Sequence, residues 1–204
     1  LIDALRKGHQ KRRPRTRGKD RRGGIRNMRS IRERPEEAQS REVPGHWEGD
    51  LIKGAFNGSA IGTLVDRSTR FVILAKVDDS SAEAVLEGFS RRLHTLPKAL
   101  RKTLTYDQGR EMARHEELEK RTHLMVYFAD PHSPWQRPTN ENTNGLLRQY
   151  FPKGTVLSQY SQQYLTKVAN EMNNRPRKSL GFRTPAEVMA QKIGDLNGSV
   201  ALQI

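Results

Sequence analysis

Residues 46–77 hold three β-type segments separated by gaps no longer than a turn, a spacing that points to an antiparallel meander. His46–Lys53 (HWEGDLIK) reads as the first strand. Asn57-Gly58 is a hairpin turn signal. Ser59–Val65 and Arg70–Val77 read as two more strands, joined by the turn-like Asp66-Arg67-Ser68-Thr69. The run Phe71-Val72-Ile73-Leu74-Ala75 is rich in β-branched and aromatic residues, which predicts a central position in the sheet.

Past the meander the pattern alternates. Ser80 or Ser81 suits a helix N-cap, and Ala84, Val85, Phe89 and Leu93 follow at helical spacing. Leu104–Tyr106 reads as a short strand broken by Gln108-Gly109, Met112–Lys120 as a helix and Leu124–Ala129 as a fifth strand. A loop with Pro131, Pro134 and Pro138 comes next, and Thr139 suits the N-cap of a helix running to about Tyr150. A further helix is predicted over about 158–173, and a short one from Thr184-Pro185, with Pro at its first position. The order β-β-β-α-β-α-β-α-α implies an α/β fold, a mixed five-stranded sheet with helices on its faces.

Residues 1–44 contrast with this pattern. Stretches such as Lys11-Arg12-Arg13-Pro14-Arg15-Thr16-Arg17 are basic and carry too little apolar surface to offset the entropy of ordering. They read as a solvated linker or as a DNA-contacting arm, partly disordered, with Arg12, Arg13, Arg15 and Arg17 as candidate phosphate contacts. Residues 45–192 read as the globular core and 193–204 as a C-terminal tail. The formal net charge of +14 calls for an anionic partner, nucleic acid first, because Lys and Arg neutralise phosphates. A membrane surface would want large apolar anchors beside the basic residues, and no such stretch is present. Nor does any apolar run approach the roughly 18 residues of a spanning helix. The absence of cysteine excludes disulfides, thiolate zinc sites and cysteine nucleophiles, and fits a reducing cytosol. The start lacks a signal peptide and an initiator Met, so an upstream segment is expected.

The informative residues are acids in unusual places. Asp50 sits within an apolar strand pattern, where Asp is rare and a buried carboxylate is costly unless paired or metal-bound. Asp107 ends a strand before a glycine turn, where a turn aspartate is the simpler explanation taken alone. Glu141 lies in the first turn of a helix, where complementing the helix dipole is the simpler explanation. Together the three supply hard oxygen ligands suited to Mg²⁺ or Mn²⁺. Two such ions about 3.5–4 Å apart can clamp the attacking and leaving oxygens of an in-line phosphoryl displacement.

The blocks around these acids carry a resemblance. His46-Trp47-Glu48-Gly49-Asp50, Thr105-Tyr106-Asp107-Gln108-Gly109-Arg110-Glu111, Asp130-Pro131-His132-Ser133-Pro134-Trp135-Gln136-Arg137 and Thr139-Asn140-Glu141-Asn142-Thr143-Asn144-Gly145-Leu146-Leu147-Arg148-Gln149 resemble the insertion-sequence-thirty family of bacterial transposases. Phe151-Pro152-Lys153-Gly154-Thr155 and Leu180-Gly181-Phe182-Arg183-Thr184-Pro185-Ala186-Glu187 match as well, so the likeness spans about 45–190. The 33 residues between Asp107 and Glu141 are close to the usual spacing in Asp-Asp-Glu integrases and transposases. The resemblance implies a ribonuclease H-like, retroviral-integrase-type core with Asp50, Asp107 and Glu141 as the catalytic and metal-binding triad, holding two Mg²⁺ or Mn²⁺ ions. It implies cleavage at insertion-sequence ends and strand transfer into target DNA, by at least a dimer, in the bacterial cytoplasm in association with the nucleoid. The family normally carries an N-terminal helix-turn-helix region, and this sequence begins after it, so recognition of the terminal repeats is expected to be impaired.

One position departs from the pattern. The family usually has Gly where this chain has Pro138. If that Gly needs positive φ, Pro cannot follow, and Glu141 shifts; otherwise Pro simply stiffens the start of the helix. Around the triad, Trp135 could stack on a displaced base or sit in the core. Arg137, Asn144, Arg148 and Lys153 are candidate DNA contacts, and Glu141, Asn144 and Arg148 share a helix face. Glu48 points to the same sheet face as Asp50, as a supporting residue or a fourth carboxylate. Two alternatives stay open: a catalytically impaired DNA-binding or regulatory relative, and a ribonuclease H-like nuclease without strand transfer.

Overall fold

The computed structural model describes residues 24–201, with side chains through Asp195. In chain order the elements are a short α1 (Glu36–Ser40), β1 (His46–Lys53), β2 (Ala60–Asp66), β3 (Val72–Val77), α2 (Ala82–His94), β4 (Thr103–Tyr106), α3 (His115–Thr122), β5 (Met125–Phe128), α4 (Pro138–Leu147), α5 (Gln162–Asn173) and α6 (Pro185–Ala201). The five strands form one sheet in the order β3-β2-β1-β4-β5. β1, β2 and β3 pair antiparallel, as a meander must, while β1–β4 and β4–β5 are parallel. The mixed α/β architecture predicted above is the one observed.

Period-two alternation splits β1 between two cores. Trp47 and Leu51 join Leu64 and Leu104 against Val85, Phe89 and Leu93 of α2. On the other face Ile52, Ile61, Val65 and Leu74 pack with Leu146 and Leu147 of α4 and Leu165, Val168 and Met172 of α5. Glu48 and Asp50 share the second face with Ile52, so they look toward α4.

The apolar run expected at the centre of the sheet is in β3, an edge strand. Its residues are buried because α2 and α5 cover both faces. Its open backbone edge is also closed, by side-chain amides of α5. Asn173 bonds both N–H and C=O of Val72, and Gln162 bonds Lys76 N–H and Leu74 C=O. An exposed edge invites pairing with another chain, and here two amides occupy it.

Other boundaries moved. Arg110–Met112 is a single 3-10 turn and α3 starts only at His115; α4 stops at Leu147; α5 starts after its cap Ser161, whose Oγ accepts from Tyr164 N–H. α6 is long and runs past the expected core boundary at 192. Residues 24–44 are docked rather than free, contrary to the expectation of a core-free arm. Ile31 and Ala38 are buried, and Phe128 N–H donates to Arg29 C=O. Arg29 pairs with Glu119, Asn27 bonds Glu116, and Lys102 pairs with Glu37. The segment substitutes ion pairs for apolar area, and its acidic partners lie far away in sequence. Arg12, Arg13, Arg15 and Arg17 lie outside the described residues.

Candidate active site

Asp50 is held in the middle of β1, and the local sequence explains how it fits. Gly49 faces β4 so closely that a Cβ there would come within 2.9 Å of Leu104 Cδ1 and Tyr106 Cδ2. The missing side chain lets those β4 side chains pack over β1, and β4 ends directly before Asp107. Asp50 Oδ1 accepts from Leu51 N–H at 2.8 Å, and Oδ2 accepts from Asn144 Nδ2 of α4 at 3.0 Å. Asp107 Oδ1 accepts from Gly109 N–H at 2.9 Å, the turn-aspartate bond expected of this position. Its other oxygen is left for the site.

Arg137 stands between the two aspartates. Its Nη2 lies 3.2 Å from Asp107 Oδ2 and its Nη1 3.8 Å from Asp50 Oδ2. Nη1 also donates to Gly49 C=O at 2.7 Å, and the guanidinium sits 5.9 Å from the Tyr106 ring centroid. With 5% exposure Arg137 is buried, and both its Nη atoms face protein acceptors while its Nε has none. Its expected role as a phosphate contact does not match that placement, because the loop folds inward to neutralise the paired aspartates.

Glu141 is in the first turn of α4, as predicted, and exposed. It lines a cavity of about 670 Å³ together with Asp107, Arg137, Arg110 and His132. Thr139 is not the N-cap. The helix begins two residues earlier, with Arg137 at the cap and Pro138 in the first turn, where proline's fixed φ and missing N–H do no harm. This geometry matches the stiffened start among the two readings of Pro138. The cap acceptor comes from Glu48, whose Oε2 accepts Asn140 N–H at 2.9 Å. Glu48 is fully buried and its other oxygen accepts from Arg67, so it supports the helix and pairs with a guanidinium, which matches a supporting residue and not a fourth metal-facing carboxylate. Asn140 was missed by the sequence reading, though a buried asparagine next to Glu141 links β1, β2 and α4.

Burial raises Asp50 from the ordinary 3.8 to about 6; Arg137 opposes the rise, and the nearby charges of Asp107 and Glu141 add to it. Negative charge is thus crowded at Asp50 beyond what Arg137 relieves. Asn144 Oδ1 is buried without a hydrogen-bond partner, a spare oxygen beside Asp50. Carboxylate and amide oxygens are the donor set of a hard divalent cation, so the residues fit such an ion chemically. Among the described residues, however, no three His, Asp or Glu side chains converge on one point. Two of the acids share Arg137, and the third faces the same cavity.

Trp135 is 70% exposed, which removes it from the core and leaves it open to a partner. Lys153 is exposed as well. Arg148 is half-buried, and donates to Lys53 and Phe151 carbonyls at 3.3 and 3.4 Å, joining the end of α4 to the end of β1.

Residues 40–134 match the model of the integrase core domain family. The whole chain is similar to a transposase for insertion sequence element IS1086 of Cupriavidus metallidurans, at 56% identity over 203 residues and 60% of the relative's length. It is also similar to the transposase InsI for insertion sequence element IS30A of Escherichia coli K12, at 50% identity over 163 residues, covering 80% of this chain and 42% of that one. The chain belongs to the insertion-sequence-thirty transposase family. It spans about half the length of these curated relatives. Among solved structures, a chain of a simian T-cell lymphotropic virus intasome in complex with PP2A regulatory subunit B56 gamma overlays with a TM-score of 0.56. That likeness covers 72% of this chain and 54% of the other at 16% identity, and it shows the shared fold. The family's sheet in this chain is ribonuclease H-like, of the retroviral-integrase type.

Proposed function

We propose that this chain is the catalytic core of a DNA transposase that cuts DNA at the ends of an insertion sequence and joins those ends to target DNA. The observation that carries the reading is that Asp50 of β1 and Asp107, directly after the neighbouring parallel strand β4, both face Arg137, with Asp107 and Glu141 lining one cavity. The reading assigns Asp50, Asp107 and Glu141 as catalytic, metal-binding carboxylates. Bound Mg²⁺ or Mn²⁺, two ions per site, supplies activation of water or a DNA 3′-hydroxyl and neutralisation of the leaving oxygen. The chain's own residues do the positioning, which supplies most of the catalysis in phosphoryl transfer. Asn144 fixes the Asp50 carboxylate through Oδ2, and Gly109 N–H fixes that of Asp107. Arg137 ties the middle of β1 to the end of β4 through the Gly49 carbonyl and Asp107. In the displacement the attacking oxygen forms a new bond to phosphorus as the bond to the leaving oxygen breaks, and no covalent enzyme intermediate is needed.

Exposed Trp135 and Lys153 and half-buried Arg148 are the proposed DNA contacts on the described surface, and Arg12, Arg13, Arg15 and Arg17 add basic charge suited to phosphates. Terminal-repeat DNA and target duplex are the proposed partners, in an assembly of at least two copies because two ends are joined. A bacterial cytoplasmic setting at the nucleoid follows from that role. No helix among the described residues is long and apolar enough to cross a membrane.

The test is strand transfer from a labelled, pre-cut terminal-repeat oligonucleotide to a plasmid in Mn²⁺. Products joined to target support the reading. Cut-only products identify a nuclease, and neither product identifies an inactive DNA-binding relative. Asp50→Asn, Asp107→Asn and Glu141→Gln should each nearly abolish product while leaving non-specific duplex binding intact, and a variant that keeps cleavage removes its residue from the triad.

A further inference from the structure

Behind the carboxylates lies a buried polar network that the reaction does not touch. Glu48, two residues before Asp50 on β1, is 0% exposed. Its Oε1 accepts from Arg67 Nη1, and its Oε2 accepts Asn140 N–H at 2.9 Å. The Glu48 main-chain carbonyl accepts Asn140 Nδ2 at 3.0 Å. The same amide nitrogen reaches Thr63 Oγ1 of β2 at 3.2 Å, and Asn140 is also fully buried. Asn140 is the third residue of α4, and Glu141 is the fourth.

The first N–H groups of any helix lack internal partners and favour negative charge. No side chain of the cap residue supplies an acceptor to α4. The acceptor arrives from the strand that bears Asp50. A shift of α4 along β1 would break the Asn140 N–H, Asn140 Nδ2 and Thr63 bonds together, and would leave buried groups unsatisfied.

We infer that Glu48 is a positioning residue: it caps α4 from β1 and so sets Glu141 in register with Asp50. The inference rests on the triad reading above. The role needs a carboxylate specifically. Both oxygens of Glu48 receive donors, one from Arg67 and one from Asn140 N–H, so a glutamine would turn its NH₂ against one of them. An aspartate would fall one methylene short.

The experiment compares wild type, Glu48→Gln, Asn140→Ala and the double variant, each confirmed folded by circular dichroism. Asn140→Ala keeps the capped N–H but removes the side-chain bonds that tie α4 to the Glu48 carbonyl and Thr63, and strands no charge. Calorimetric titration with Mn²⁺ alone should show affinity lowered about 10–100-fold in each single variant, the range typical of residues that orient metal ligands. The losses in the double variant should fall short of multiplying, because the two sets of bonds hold the same α4–β1 register. Duplex binding should stay within about twofold, since the network is buried. Unchanged Mn²⁺ affinity in both folded single variants, or losses that multiply, would overturn the proposal. Amide hydrogen exchange at Asn140 and Glu141 reads the cap without metal: exchange about tenfold faster, with β2 amides unchanged, supports it, and unchanged exchange overturns it. Absence of Mn²⁺ binding by the wild type would instead count against the triad, with exchange still deciding the cap.

Discussion

Replacing Asp50 by asparagine should make the chain more stable at neutral pH while removing a catalytic carboxylate. Burial raises Asp50 from 3.8 to about 6, so the folded protein keeps a proton that the unfolded chain releases in that interval. Stability therefore falls as pH rises through the window and stays lower above it. At ~1.4 kcal/mol per pH unit, keeping Asp50 ionised in the fold costs ~3 kcal/mol. Asparagine escapes that cost and still accepts Leu51 N–H through its own Oδ1. It gives up the attraction of Arg137 Nη1 at 3.8 Å, and it turns an NH₂ toward Asn144. The Asn144 amide can rotate to offer its unpartnered Oδ1 in reply. Subtracting one weakened polar contact leaves a net gain of ~1–2 kcal/mol. For a chain of this size that corresponds to a Tm higher by roughly 2–8 °C. Thermal unfolding in EDTA, followed by circular dichroism near pH 8 and again near pH 4, measures it, and the gain should largely vanish at the acid end. Added Mn²⁺ should raise the Tm of the wild type and not of the variant. An unchanged or lower Tm for Asp50→Asn near pH 8, or an equal gain at both pH values, would refute the reasoning.

Other perturbations read the frame of the site. Gly49→Ala places a Cβ 2.9 Å from buried Leu104 and Tyr106 side chains, and should lower stability in urea by ~1–3 kcal/mol; an unchanged midpoint would mean the strands have slack there. Pro138→Gly should cost ~0.4–1 kcal/mol by freeing the unfolded chain and should not raise cleavage, whereas a large gain in rate would show that Pro138 misplaces Glu141. Asn173→Ala uncovers both backbone groups of Val72 on the sheet edge. It should destabilise by ~1–3 kcal/mol and promote self-association in light scattering, and a monodisperse, equally stable variant would remove the edge-closing role.

The strands were legible because a meander announces itself through short gaps and β-branched runs, and Asp50 stood out as a charge inside one of them. β3 was misplaced at the centre because burial by α2 and α5 leaves the same apolar signature as burial between strands. Thr139 looked like the cap because capping is usually local, and the true acceptor, Glu48, lies 92 residues away. Arg137 read as a surface cation for a related reason. Its acceptors, Asp50, Asp107 and the Gly49 carbonyl, come together only when β1, β4 and the start of α4 meet. Residues 24–44 looked core-free by composition, yet Asn27 finds Glu116, Arg29 finds Glu119 and Glu37 finds Lys102 once the segment meets α3 and the start of β4. Asp107 and Glu141 needed each other, Asp50 and the flanking blocks to stand out, since an aspartate in a turn and a glutamate in a first helical turn are each ordinary.

The claim that Asp50, Asp107 and Glu141 form one metal-dependent centre is most directly tested by anomalous diffraction from crystals saturated with Mn²⁺. Strong anomalous density should lie among those three carboxylates, with the Arg137 guanidinium drawn back from at least one aspartate. Mn²⁺ peaks only elsewhere, with Arg137 still spanning Asp50 and Asp107, would contradict it.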